Sequence, residues 1–226
     1  MTPLRLVIFD VDGTLVDSQG SIVGAMTAAL VEEGLVVPTR AEILSIVGLS
    51  LDHAVARLMP DIDTAQRGKV VAGYKDAYHA ARVAGGVAIE SPLYPGIREM
   101  LVDLSRDSEV LLGVATGKSR RGLDALIEGH ELGQFFVTQQ CADDHPSKPH
   151  PSMLTTALYE TGVEAADAVM VGDTSYDMDM AAAAGVAGLG VSWGYHRPDA
   201  LTAARRVVNS AAEVPAAIAE MWETTA

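Results

Sequence analysis

The sequence predicts a three-layer α/β fold: a doubly wound parallel sheet covered by helices, with a small helical domain inserted after the first strand. Three observations predict it. Short continuous apolar runs, the pattern of strands buried on both faces, alternate with segments of helical periodicity. Acidic or hydroxyl residues stand at the carboxyl ends of those runs, where open parallel sheets bind ligands. Residues 18–85 show helical periodicity and no strand pattern. A chain of 226 residues, 49% of them hydrophobic, can bury one such core with a modest insertion.

Taken in order, Leu4 to Phe9 reads as the first strand and ends at Asp10. Helical patterns follow at 21–33, 40–47, 51–58 and 64–83, punctuated by Pro38 and Pro60 and closed by Gly85-Gly86. The chain re-enters the core near 92–95, with a helix over 96–105. Strands are expected at 110–115, 168–171 and 186–191, and helices from about 152, over 175–184 and over 213–222. The expected division is a core of residues 1–16 and 86–226 and a helical cap of residues 17–85.

Charge and composition exclude several functions. With 16 Lys and Arg against 30 Asp and Glu, the net charge of −14 repels polyphosphate backbones, so nucleic acid is not an expected partner. An enzyme acting on anions would then need a locally positive site. The single cysteine, Cys141, permits no internal disulfide, fits a reducing compartment and has no adjacent basic residue to activate it. The N-terminal apolar run is too short for a signal peptide, and no stretch approaches the roughly 20 residues of a membrane span. The expectation is a cytoplasmic protein, monomer or homodimer, with no membrane partner.

Several residues could carry chemistry, each with a plainer reading beside it. Asp10 and Asp12 could serve as nucleophile and proton donor if Gly13 turns the chain, or form a solvated turn. Thr116-Gly117 could cradle an anion at a helix start, or Thr116 could cap that helix. Gly117-Lys118-Ser119 resembles the end of a nucleotide P-loop, but Leu112 stands where its first glycine belongs. Lys148, among prolines, could hold an ammonium in a fixed place or be an ordinary surface lysine. Asp173 and Asp177 suit a hard cation, unless Asp173 merely caps the next helix; Asp179 should face solvent.

In this order, Asp10-Val11-Asp12-Gly13-Thr14, Thr116, Lys148-Pro149 and Gly172-Asp173 with Asp177 resemble the haloacid dehalogenase-like hydrolase superfamily over the whole chain. The run Asp10 to Ser18 is most similar to its phosphoglycolate phosphatase-type branch. The resemblance implies a Rossmann-like core and a small-molecule phosphate ester as substrate. It implies Asp10 as nucleophile forming an aspartyl-phosphate, with Asp12 as acid and then base. Mg²⁺ would be held by Asp10, the Asp12 carbonyl, Asp173 and Asp177. Thr116 and the Gly117 amide would hold phosphoryl oxygens, and Lys148 would offset the negative charge. The alternative is a sugar-phosphate mutase of the β-phosphoglucomutase kind. Asp12 argues against dehalogenation, Gly172 against a mutase, and Lys69 and Lys75 have no Schiff-base setting.

In related caps a loop touches the leaving group, and Val47-Gly48-Leu49-Ser50 matches it here, so Gly48 is a candidate substrate contact. That loop has no charge to read a carboxylate; Arg57, Lys118 and Arg121 are the candidate cations. Tyr195 and His196 read as an ordinary surface turn, and His145 and His150 as solvated.

Overall fold

Six parallel strands form the one sheet of the computed structural model, which describes residues 4–223. They are β1 (Arg5–Phe9), β2 (Val110–Thr116), β3 (Phe136–Cys141), β4 (Ala168–Gly172), β5 (Ala187–Val191) and β6 (Arg206–Val208), in the spatial order β3-β2-β1-β4-β5-β6. That order reverses direction at β1 and β4, which lie side by side with Phe9 opposite Val171. Ligands of doubly wound sheets bind at such a reversal, outside the carboxyl ends of the strands.

Strand alternation sends Val7 and Phe9 to one face and Leu6 and Ile8 to the other. The first face packs on α6 (Ile97–Leu104), α7 (Arg120–Gly129) and α10 (Val214–Glu223) through Leu101, Leu123 and Ile218. The second packs on α8 (Ser152–Thr161) and α9 (Ser175–Ala183) through Leu154 and Met180. Apart from Arg5 and Thr116 at their ends, the central strands are therefore apolar, which is why four strands are readable as continuous runs.

Between β1 and α6 stand α1 (Gln19–Glu32), α2 (Arg40–Ser45), α3 (Leu51–Leu58) and α4 (Thr64–Gly85), followed by the four-residue α5 (Val87–Glu90). The first four bury their own apolar cluster, with Met26, Leu30, Ile43, Val55 and Val70 at its centre. Thr39 and Glu42 form a reciprocal capping box on α2, and Asp63 caps α4 by accepting from Gln66 N at 2.8 Å. The outgoing and returning chains are clasped together: Asp17 N donates to Pro92 O at 2.8 Å and Tyr94 N to Leu15 O at 3.0 Å.

The strands β3 and β6 and the short α5 are additions to the elements expected from sequence. β3 is an edge strand paired only with β2 and carries polar Gln139 and Gln140, and the three-residue β6 exposes Arg206. Edge strands lack the continuous apolar run of a strand covered on both faces. Helix α2 ends at Ser45 rather than 47, where the chain turns toward Gly48. No helix among the described residues is long and apolar enough to cross a membrane.

Candidate active site

Asp10 follows the last residue of β1, and its amide donates to Val171 O at 2.9 Å, which fixes it level with the end of β4. The chain then turns tightly, with the amides of Thr14, Leu15 and Val16 all directed to Val11 O. Gly13 makes the turn possible. Its φ is +88°, and a Cβ there would lie 2.2 Å from Asp173 Oδ2. The turn thus delivers Asp173 against the first loop, where Thr14 Oγ1 donates to its Oδ1 at 2.9 Å.

Asp173 does not cap the helix that follows. Thr174 is the N-cap of α9, and Asp177 completes a capping box by accepting from Thr174 N at 3.0 Å and Thr174 Oγ1 at 2.7 Å. The cap consumes only Asp177 Oδ2; its Oδ1 accepts from Lys148 Nζ at 2.6 Å. Lys148 is not a surface lysine either, because its side chain is fully buried. Its Nζ also lies 2.8 Å from Asp10 Oδ1, which leaves the buried Asp10 Oδ2 with no donor among the described residues.

Asp10, Asp173 and Asp177 can each turn an oxygen to within 4.8 Å of the other two. Three buried carboxylates facing one ammonium leave excess negative charge in a dry place, which only a cation or protons can relieve. Burial accordingly pushes the Asp10 carboxyl up to about 7, with Lys148 opposing it, and burial and then Asp177 raise Asp173 well above the carboxylate range. Burial alone would lower the Lys148 ammonium, but Asp10 and Asp177 outweigh it and raise it. An all-oxygen donor set with an orphaned acceptor, Asp10 Oδ2, fits a hard divalent cation such as Mg²⁺.

Thr116 is buried at the end of β2 and is not a helix cap: Ser119 caps α7, and Thr116 Oγ1 accepts from Lys118 N at 3.2 Å. Gly117 sits under the Gly48 loop, where an added Cβ would lie 2.6 Å from Gly48 O. Next to it Ser50 N donates to Ser147 Oγ at 2.9 Å. The helical unit thereby covers the strand ends, and a cavity of about 190 Å³ remains between them, lined by Asp10, Asp12, Thr116 and Gly117 from below.

Asp12 and its surroundings hold what sequence reasoning missed. Lys118 Nζ lies 2.9 Å from Asp12 Oδ1, and Ser18 Oγ donates to the same oxygen. Lys118 also donates to Tyr78 OH of α4 at 3.1 Å. Tyr195 and His196 are not an ordinary surface turn. The Tyr195 amide donates to Asp173 Oδ2 at 2.7 Å and its hydroxyl accepts from Ser18 N at 2.9 Å. His196 accepts from Ser175 N at 3.2 Å and donates to Ser45 O at 3.1 Å. His145 is half-buried between Gln140 and Ser152, while His150 and Asp179 are exposed as expected. Of the candidate cations, Lys118 and Arg121 line the cavity, whereas Arg57 packs 5.5 Å over the Tyr176 ring. Lys69 pairs with Glu33 at 3.6 Å.

Comparison with known proteins agrees with this geometry. Residues 7–191 match the family model described as haloacid dehalogenase-like hydrolase. The "Probable phosphatase IndB" of Dickeya dadantii is 36% identical, covering 88% of this chain and 86% of that protein. A phosphoglycolate phosphatase of Caulobacter vibrioides is 33% identical, covering 93% of this chain and 89% of its own length. The crystal structure of a predicted phosphatase from Clostridium acetobutylicum superposes with a TM-score of 0.84 at 26% identity, covering 97% of this chain and 100% of that one. The chain belongs to the haloacid dehalogenase-like hydrolase family.

Proposed function

We propose that this chain, a phosphatase by its family and relatives, hydrolyses small-molecule phosphate monoesters with Mg²⁺ through an aspartyl-phosphate on Asp10. The observation that carries the reading is the buried Asp10 carboxylate, its Oδ2 without a donor, beneath a cavity and beside Asp173, Asp177 and Lys148. An oxygen kept free of hydrogen bonds is available to bond phosphorus and to ligate a cation.

In this reading an Asp10 oxygen attacks phosphorus, the phosphorus–oxygen ester bond breaks, and Asp12 gives its proton to the departing oxygen. Asp12 then takes a proton from water as that water attacks phosphorus, the bond to Asp10 breaks, and inorganic phosphate leaves. Thr116 Oγ1 and the Gly117 amide hold the phosphoryl oxygens. Lys148 keeps its ammonium between Asp10 and Asp177 and offsets the charge of the incoming ester. Held by Asp10, the Asp12 carbonyl, Asp173 and Asp177, Mg²⁺ would supply the positive charge that phosphoryl transfer needs. Residues 17–85 act as the cap, with Gly48 on the leaving-group side, over a core of 1–16 and 86–226.

The test is phosphate release from 4-nitrophenyl phosphate with Mg²⁺ and with chelator. Release should need the metal and vanish in Asp10→Asn. Full activity in that variant refutes the nucleophile, and conversion of a sugar phosphate to its isomer with no free phosphate would establish a mutase instead.

A further inference from the structure

The cavity above Asp10 is basic in an acidic protein. Four of the chain's 16 Lys and Arg line it, namely Lys75, Arg82, Lys118 and Arg121, against two of its 30 Asp and Glu, Asp10 and Asp12. Lys118 is engaged by Asp12. The others are not: among the described residues no carboxylate pairs with Lys75, Arg82 or Arg121. Lys75, His79 and Arg82 recur at spacings of four and three on α4, which stacks them on one face of the helix. Arg121, in the first turn of α7, reaches across and bonds His79 Nε2 at 2.8 Å.

That bond fixes the histidine. A guanidinium only donates, so His79 Nε2 must be the acceptor and the neutral ring carries its proton on Nδ1. His79 Nδ1 is buried and has no partner. Two guanidiniums and a lysine thus stand in the wall of the same cavity with no carboxylate partner among the described residues, one of the guanidiniums held by His79.

Position decides which acceptor. Tyr78 of α4 marks the Lys118–Asp12 pair, and Arg82 lies one helical turn further along, roughly 6 Å. Arg121 is three residues beyond Lys118, in the first turn of α7. The remaining walls, including Ile22, Met26, Val47, Leu51 and Tyr74, are apolar. A two-carbon leaving group with its carboxylate next to the ester oxygen is too short to put charge in that cluster.

Building on the phosphatase reading of Asp10, we propose that His79, Arg82 and Arg121, with Lys75, form a second anion subsite. The preferred substrate is then a phosphate monoester whose leaving group has an apolar body ending in an anionic group, a carboxylate or a second phosphate.

Rates with Mg²⁺ on phenyl phosphate, 4-carboxyphenyl phosphate, 1,4-phenylene bisphosphate and 2-phosphoglycolate test this. At least one of the two extended anions should exceed phenyl phosphate in kcat/KM by about tenfold or more, and the better of them identifies the anionic group. 2-Phosphoglycolate should fall below it. Replacing Arg82 and Arg121 together by Gln should bring the ratio of extended anion to phenyl phosphate down to about one, and Arg121→Lys should retain part of it; the ratio does not depend on the fraction of enzyme folded. Equal rates on phenyl phosphate and both extended anions in the unaltered protein overturn the subsite. A lead for 2-phosphoglycolate overturns the extended leaving group. Hydrolysis of none of the four, and of no 4-nitrophenyl phosphate, removes the phosphatase reading and this inference with it.

Discussion

Lys118 Nζ and Asp12 Oδ1 stand 2.9 Å apart, with side chains only 9% and 12% exposed. Asp12 raises the Lys118 ammonium well above its ordinary range against the pull of burial. The lysine therefore stays charged at any working pH and holds Asp12 in one place. Its other contact, Tyr78, belongs to the helical unit, so the placing of Asp12 reports whether that unit is seated.

Lys118→Met should therefore lower kcat by about 10- to 100-fold, a part of what a positioned acid–base group contributes, with a smaller change in KM. Tyr78→Phe keeps the ring 5.0 Å from the ammonium and loses only the 3.1 Å hydrogen bond. It should cost severalfold at most. A leaving group that needs no proton, such as 4-nitrophenolate, should be cleaved with a smaller loss in Lys118→Met than a poor alkoxide leaving group. Equal losses on both would mean that Lys118 acts only on stability.

Metal affinity should depend on pH through Asp10. With its carboxyl pushed up to about 7 by burial, Asp10 holds a proton below that pH, and the proton competes with the cation. The apparent Mg²⁺ dissociation constant should rise by about tenfold or more per pH unit as pH falls below about 7, since Asp173, also raised by burial, holds a competing proton as well. The metal-free protein should show the opposite sign in stability. Between about 4 and 7 the folded chain binds a proton on Asp10 that the unfolded chain does not, so stability is lost as pH rises through that window. Calorimetric titration and thermal melts in chelator measure the two effects.

Gly13→Ala should abolish cation binding. The substitution strains a left-handed residue by about 1–2 kcal/mol and drives Asp173 away from a Cβ that would lie 2.2 Å from its oxygen. The diagnostic is the rise in melting temperature on adding Mg²⁺, which should disappear even where the variant is folded. A retained rise would show that Asp173 is not a ligand.

Gly117→Ala acts on the roof instead. Its Cβ would meet the carbonyls of Gly48 and Leu49 at 2.6 and 2.7 Å, so the loop must lift from the strand ends. Activity should fall by more than tenfold, of the order expected for displaced positioning groups, while the urea midpoint changes little. A large drop in the midpoint with normal specific activity of the folded fraction would reverse this reading.

Much of this molecule was legible in the chain because its central strands are covered on both faces. β1, β2, β4 and β5 are almost wholly apolar, and the first three end at or beside Asp10, Thr116 and Asp173. β3 and β6 lie on the edges, where Gln139, Gln140 and Arg206 break the pattern. The resemblance brought Asp10, Thr116, Lys148 and Asp173 together as an ordered set. What no spacing could reveal was pairing across the fold. Lys118 reaches Asp12 and Tyr195 reaches Asp173 from loops far away in sequence, and the choice of Ser119 over Thr116 as the cap of α7 rests on backbone direction.

The clasp between Asp17 and Pro92 and between Leu15 and Tyr94 has one more consequence. The helical unit leaves and rejoins the sheet through neighbouring doorways, so its length does not stretch the fold beneath it. A helical block of another size, entering and leaving through the same two hydrogen bonds, would change what the enzyme admits, provided that it replaced the contact Tyr78 makes with Lys118.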